Sequence, residues 1–384
     1  MCHPRDQESL LQRRRSFLAT AAAAVATPAI ARAQDVIRSA KASYRLVTLS
    51  RDLEQPWSIA FLPDGRLLIT ERPGRLRLFA RGRLERAPVG GLPKVYARVQ
   101  GGLLDVCLHP RFTENRTLYL SYAGEGEGGA ATVVARAELA ESGGLRGVRP
   151  IFEALPRASG GLHFGSRIAF DRAGLMYVTT GERFQMQRAQ KLGDLGGKVV
   201  RLRDDGSVPP DNPYLGRDGA RPEIFTYGHR NPQGIAMHPD TGRMWLIEHG
   251  PRGGDELNLL TAGANYGWPL ATHGIDYNGA TISDHKSLPG MKDPVRAWVP
   301  SISPCGLAFY TGDRFPGWKG SLFTGALSNH ALFRIELQGE RYVGEERLLV
   351  DRLPFIRDVR QGPDGLLYLV TYSDDGGLYR LEPA

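Results

Sequence analysis

Cysteine is scarce in this chain of 384 residues, with 3 in all, and long apolar runs are scarcer. No Cys-x-x-Cys-His stretch occurs, so no haem is attached covalently and any electrons must leave through a separate acceptor. The one sustained apolar run, Ala19 to Ile30, falls short of the roughly 20 residues that span a bilayer. A P-loop lysine motif, a His-Glu-x-x-His helix and a Gly-x-Ser-x-Gly elbow are all missing, which removes the nucleotide and zinc-protease readings. An excess of one charge is modest: 49 basic against 41 acidic residues, scattered rather than striped, argues for solubility and against a nucleic-acid footprint.

What is present is enough apolar residue, 41% with 23% charged, to bury a sizeable core. The 47 Gly and 26 Pro, without long helical stripes, point to short strands and turns. One unit recurs: a small apolar strand, a turn, a strand rich in Leu, Tyr, Val and Thr, then a third strand. It begins at Trp57, Leu103, Ser166, Pro232, Pro304 and Ile356. A four-stranded sheet hides only part of its apolar surface, whereas six stacked around an axis cover both faces of each. The expectation is an all-β chain, a six-bladed β-propeller over residues 34–384. Asp64-Gly65, Asp240 with Gly242, and Asp364-Gly365 suit hairpin turns that need positive φ. Two stretches, Glu182 to Pro222 and Ala271 to Val299, lack periodicity and read as long insertions that crowd one face and build a site there.

Residues 1–33 read as a secretory leader: Arg13, Arg14 and Arg15, then the short apolar run, then Ala31-Arg32-Ala33 as a cleavage site. Arg14-Arg15-Ser16-Phe17-Leu18 has the twin-arginine form, which implies export of the folded protein to the periplasm. Cys2 leaves with it. Cys107 and Cys305 remain, either bridged in an oxidising compartment or, for Cys107, buried as a plain thiol.

Gly124 to Gly129 satisfies G-x-G-x-x-G, but it joins two strand-like segments and carries two Glu that would repel a pyrophosphate. A stronger signal is Gly228-His229-Arg230-Asn231-Pro232-Gln233-Gly234, which opens an inner strand facing the channel. Arg230 and Asn231 supply a fork of donors and an amide, suited to an anionic or carbonyl-bearing ligand, unless Arg230 merely ties blades together through a carboxylate. His163 and Gln100 precede the inner strands of two other units, and a histidine there is a candidate base. Gly250-Pro251-Arg252-Gly253-Gly254-Asp255-Glu256 exposes backbone carbonyls beside two acids, the hard oxygens that calcium prefers.

On these residues the chain resembles the soluble quinoprotein sugar dehydrogenases, six-bladed propellers that hold pyrroloquinoline quinone (PQQ) and calcium. The likeness runs from Gln55-Pro56-Trp57 to Leu381. It is strongest at Gln100 to Asp105, Gly228 to Gly234, Glu248 to Pro251, Asp255 to Asn258, Gly263 to Pro269 and Ile356 to Val359. The resemblance implies that His163 is the general base that takes the proton from the C1 hydroxyl of an aldose while the hydride passes to the quinone. It implies that Arg230 stabilises charge developing on the quinone and that Gln100, Asn231 and Arg357 contact the cofactor. Gly250 and Pro251 would offer carbonyls to the calcium beside PQQ, and Glu256 and Tyr266 would hold a second, structural calcium.

Two positions depart from the family pattern. Ser328 stands where a lysine is usual, and Phe355 where a second arginine is common. PQQ carries three carboxylates, so each lost charged hydrogen bond weakens binding by about 1.5–3 kcal/mol. His330 and Arg360 are candidate substitutes. Sugar specificity is expected from the 271–299 loop, where Trp298 is either a stacking platform or a loop anchor. Two other readings stay open: a non-catalytic propeller that binds a carbohydrate or protein ligand on the same face, and a calcium-dependent lactonase, on fold analogy alone.

Overall fold

The computed structural model describes residues Asp35–Ala384, and the expected leader lies outside the described residues. Six antiparallel sheets form six blades, each running from an inner to an outer strand. The inner strands are Pro56–Phe61, Leu103–Leu108, Ile168–Phe170, Pro232–Met237, Pro304–Phe309 and Ile356–Gln361, and each touches the next around the ring. The second strands Leu67–Glu71, Met176–Thr180, Met244–Glu248, Leu322–Ala326 and Leu367–Thr371 are buried at every residue. Sheets packed on both faces produce that result, and it explains why these runs show little polar alternation.

The last blade is completed from the other end of the chain. Ser43–Leu53 pairs antiparallel with Gly376–Pro383, with Leu46 opposite Leu381 and Thr48 opposite Tyr379. This segment lies before the first repeat, and its ladder closes the ring. Glycines 65, 242 and 365 take left-handed φ, as their turns require. The 124–129 motif is a hairpin tip between Thr117–Gly126 and Gly129–Leu139.

The expected insertion from Glu182 to Pro222 is not one loop. It contains the strand Lys198–Leu202, paired on both sides, so two loops flank it. Five residues buried throughout carry no period-two signal, which hid the strand. Likewise Arg296–Trp298 is the outer strand of its blade, paired with Asp255–Leu257. Trp298 is buried and donates through Nε1 to Glu345 at 2.9 Å, so it is an anchor and not a platform.

A buried ionic cluster ties the inner strands together. Arg167 lies 2.9 Å from Asp358 and 3.7 Å from Asp105, while Arg360 lies 3.2 Å from Asp105 and 3.0 Å from Asp358. The same carboxylates accept from the backbone of other blades: Asp105 from Ile168 N and Asp358 from Ile59 N. Losing one partner of such a cluster is costly because the other charge stays buried.

Candidate active site

His163 sits in the connection into the third blade at φ 52, only 4% exposed. Its Nδ1 lies 3.0 Å from Oε2 of Glu182, itself 1% exposed. A carboxylate only accepts, so the ring proton is on Nδ1 and Nε2 keeps its lone pair free. Burial pushes the imidazole below its ordinary value, and Glu182, which pulls it back up, does not prevail. The backbone N–H of His163 donates to Oε1 of Gln100 at 2.9 Å. Gln100 reaches this place through the Gly101-Gly102 turn, where a Cβ on Gly102 would meet the carbonyl of Arg72 at 2.0 Å.

A second histidine provides a contrast. His249 donates from Nε2 to the Pro304 carbonyl at 2.9 Å, and burial plus the cations Arg357 and Arg230 drive it down to about 3. A base that weak takes no proton from a sugar hydroxyl at neutral pH. His229 is held between Thr226 and Glu248 and is fully buried. Of the three, His163 alone combines a free Nε2 and a carboxylate partner with a hydrogen bond to a residue, Gln100, that lines the central cleft.

That cleft, about 550 Å³ of space not filled by atoms, lies at the centre of the ring. Trp57, Arg72, Gln100, Asn231, Gln233, His249, Arg357 and Tyr372 line it. Asn231 Oδ1 accepts from Gly165 N at 3.1 Å and Gln233 Nε2 at 3.0 Å. Arg357 donates to Gln233 Oε1 at 2.8 Å and lies over Trp57 at 4.6 Å, yet its buried Nε has no partner. An orphaned donor on a half-buried guanidinium that lines a cleft fits an anionic ligand.

Arg230, next in the chain to the cleft residue Asn231, lies between Trp268 and Tyr277. Its Nη1 donates to the Gly250 carbonyl at 2.7 Å and its Nη2 to the Tyr277 hydroxyl at 3.2 Å. Arg230 acts on the charge of His163, and Glu182 N donates to the Arg230 carbonyl at 3.0 Å, so imidazole and guanidinium share one end of the ring. The Gly250 to Gly254 loop is tight: a Cβ on Gly250 would meet carbonyls of Gly253 and Gly254 at 2.3 and 2.4 Å. This loop offers oxygen donors only, the chemistry of calcium, but Gly250 and Pro251 supply two of its usual six to eight ligands. Glu256 is pushed well above the carboxylate range by burial and by Glu248. Asn258 donates to both carboxylates while its own buried Oδ1 is orphaned, so a cation suits this pocket. The phenol of Tyr266 is spent on Leu259 and Thr261, which leaves its backbone carbonyl as the available ligand.

Ser328 bonds Ser303, and Phe355 is exposed against His330 with ring centroids 5.0 Å apart. Both line an apolar groove that shares Leu327 and Tyr372 with the cleft. Arg360 is no substitute for the missing cations, because Asp105 and Asp358 hold it in the ionic cluster. The extra cation at the cleft is one the sequence reading missed: Arg72, held by Gln55 at 2.7 Å and Gly101 O at 2.8 Å. Glu182 was missed too. Its only signal was an acid directly after the apolar strand Met176–Thr180. Cys107 and Cys305 are free thiols, and Cys305 lies 3.2 Å from Arg357 Nη1.

A family profile for Glucose / Sorbosone dehydrogenase matches residues 53–380. The chain belongs to this family. Its members are oxidoreductases, and the Escherichia coli relative "Aldose sugar dehydrogenase YliI" is 44% identical over 350 residues, covering 90% of this chain and 94% of that protein. A solved structure described as glucose dehydrogenase superposes with a TM-score of 0.87 at 49% identity, covering 88% of this chain and 99% of that one. The PQQ-bound aldose sugar dehydrogenase of Streptomyces coelicolor superposes with a TM-score of 0.74 at 28% identity, covering 91% and 97%. The six-bladed propeller is thus the family fold. Among the described residues no helix is long and apolar enough to cross a membrane.

Proposed function

We propose that this sugar dehydrogenase is an exported, periplasmic enzyme that uses PQQ and calcium to oxidise the anomeric carbon of an aldose to the lactone. The observation that carries the reading is the buried His163–Glu182 pair, joined through Gln100 to a cleft whose walls carry Arg357, Arg72, Gln100 and Asn231. Cationic and amide donors around an apolar floor suit a planar polyanion, and the orphaned Nε of Arg357 awaits one. Arg357, Arg72, Gln100, Asn231 and Arg230 would hold PQQ. Gly250 and Pro251 would give carbonyls to the calcium beside it, and Glu256 and Tyr266 would bind the structural ion.

His163 Nε2 takes the proton of the C1 hydroxyl as the C–H bond at C1 breaks and its electron pair leaves as hydride. When bound, PQQ would supply the hydride acceptor and calcium a Lewis acid. Glu182 holds the imidazole in the tautomer that leaves Nε2 free and stabilises the imidazolium that forms. Arg230 lies beside the base, where it disfavours a resting imidazolium and offers donors to developing negative charge. The electrons then pass to a separate acceptor.

The test is direct: purified protein is mixed with PQQ and calcium, then with glucose and other aldoses and a redox dye. Dye reduction that needs both additions is the expected result. Absence of dye reduction together with absence of quinone binding by calorimetry refutes the reading. A second reading, a non-catalytic ligand-binding propeller, draws on Ser328, Phe355 and their apolar groove. Sugar binding without any absorbance change on adding PQQ would favour it.

A further inference from the structure

Phe184 and Tyr277 are not used by the mechanism above. Both are large aromatics left 52% and 54% exposed, although such rings usually bury most of their surface. Phe184 meets His163 edge-on with centroids 5.2 Å apart and stacks on Tyr277 at 6.4 Å and 23°. Tyr277 accepts the hydrogen bond from Arg230. The two rings therefore bridge from the base to the guanidinium.

The backbone is strained to hold Phe184 there. Arg183 and Phe184 both adopt left-handed φ, 61 and 59, which is costly for any residue with a Cβ. The Arg183 guanidinium pins the turn by donating to the carbonyls of Leu162 at 2.8 Å, Gly160 at 2.7 Å and Ala130, while lying 3.6 Å over the Phe164 ring. Glu182 is thereby turned inward to His163 and the next aromatic outward to solvent. A strained turn, over-determined by one buried arginine, that exposes a ring beside a base is the arrangement of a ligand contact.

We propose that Phe184 and Tyr277 form a stacking platform for the C–H face of a pyranose ring, making them specificity-determining residues of the aldose site. The inference rests on the aldose dehydrogenase reading. A pyranose whose C1 hydroxyl reaches His163 lies within the span of these rings. Its axial C–H bonds suit the electron-rich aromatic faces while its hydroxyls stay in water.

Steady-state kinetics with the PQQ- and calcium-loaded protein test it. In Phe184→Ala the KM for glucose rises about tenfold, the scale of one lost aromatic contact. The PQQ affinity stays within about threefold of wild type, because Phe184 does not line the central cleft, and kcat falls less than KM rises. Phe184→Trp keeps the wild-type KM, Phe184→Leu is intermediate, and Tyr277→Phe, which keeps the ring but removes the acceptor of the Arg230 hydrogen bond, keeps the glucose KM. A glucose KM that does not follow the aromatic order, or a PQQ affinity that falls in step with it, overturns the platform. Wild-type protein that binds PQQ but oxidises no aldose instead overturns the enzymatic reading, and the platform with it.

Discussion

Glu182→Gln separates the two things a carboxylate does for His163. The amide keeps an acceptor oxygen for Nδ1 and the same volume, so orientation survives while charge is lost. Two unit charges about 4 Å apart attract by about 4 kcal/mol at an effective dielectric of about 20. Both side chains are buried, so little of that is screened by water. With the proton about half transferred in the transition state, about 2 kcal/mol is at stake, or roughly 30-fold in kcat at 1.4 kcal/mol per decade. An amide that turns its NH₂ toward Nδ1 forces the other tautomer and increases the loss. The pH dependence carries a sign as well. His163 must be neutral to act and is held below its ordinary value, so the acid limb of kcat/KM lies below about pH 6.5. Glu182 raises that value, so its removal shifts the limb to still lower pH. The assay is dye reduction across pH 4 to 8 with saturating PQQ and calcium. A variant that keeps kcat within threefold, or whose acid limb moves upward, refutes the role given to Glu182.

Four further outcomes are expected. His163→Ala retains PQQ affinity by calorimetry and loses turnover by about two orders of magnitude or more; unchanged turnover assigns the base elsewhere. Arg72→Ala weakens PQQ binding about 10- to 100-fold, as loss of one charged hydrogen bond requires, and an unaltered affinity removes Arg72 from the cofactor site. Ser328→Lys tightens PQQ binding about tenfold by restoring a cation at the edge of the cleft, whereas no change in a spectroscopic titration shows that the carboxylates lie elsewhere. Arg167→Met leaves Asp358 and Asp105 short of a buried partner and costs about 3–5 kcal/mol of stability; a midpoint of chemical unfolding equal to wild type contradicts the ionic cluster.

The propeller was legible because its unit repeats: six apolar strands each followed by a turn residue that tolerates positive φ leave few other folds. Strands without internal contrast were not legible. Lys198–Leu202, with the sequence Lys-Val-Val-Arg-Leu, is buried on both faces, and its charges at 198 and 201 fall three apart, so no period of two marks it and it passed for loop. Ser43–Leu53 belongs to the last blade through pairing with a strand more than 300 residues away, and local pattern carries no trace of such closure. At the site, residues with unusual chemistry in a glycine-rich setting, Arg230, Asn231 and Gly250, stood out in the sequence. Glu182 did not, because its partner is nineteen residues distant and an acid in a loop is commonplace. For Trp298 the sequence left platform and anchor both open, and the strand Arg296–Trp298, which turns it inward, makes it the anchor. Phe184 and Tyr277 are exposed aromatics that only the folded turns bring together.

The most direct measurement is a crystal structure of the protein soaked with PQQ and calcium. The account predicts a planar quinone in the central cleft against Arg357 and Arg72, an ion at the Gly250 and Pro251 carbonyls, and His163 Nε2 facing the ligand. A quinone bound away from this cleft, or a loaded cleft that His163 does not face, contradicts it.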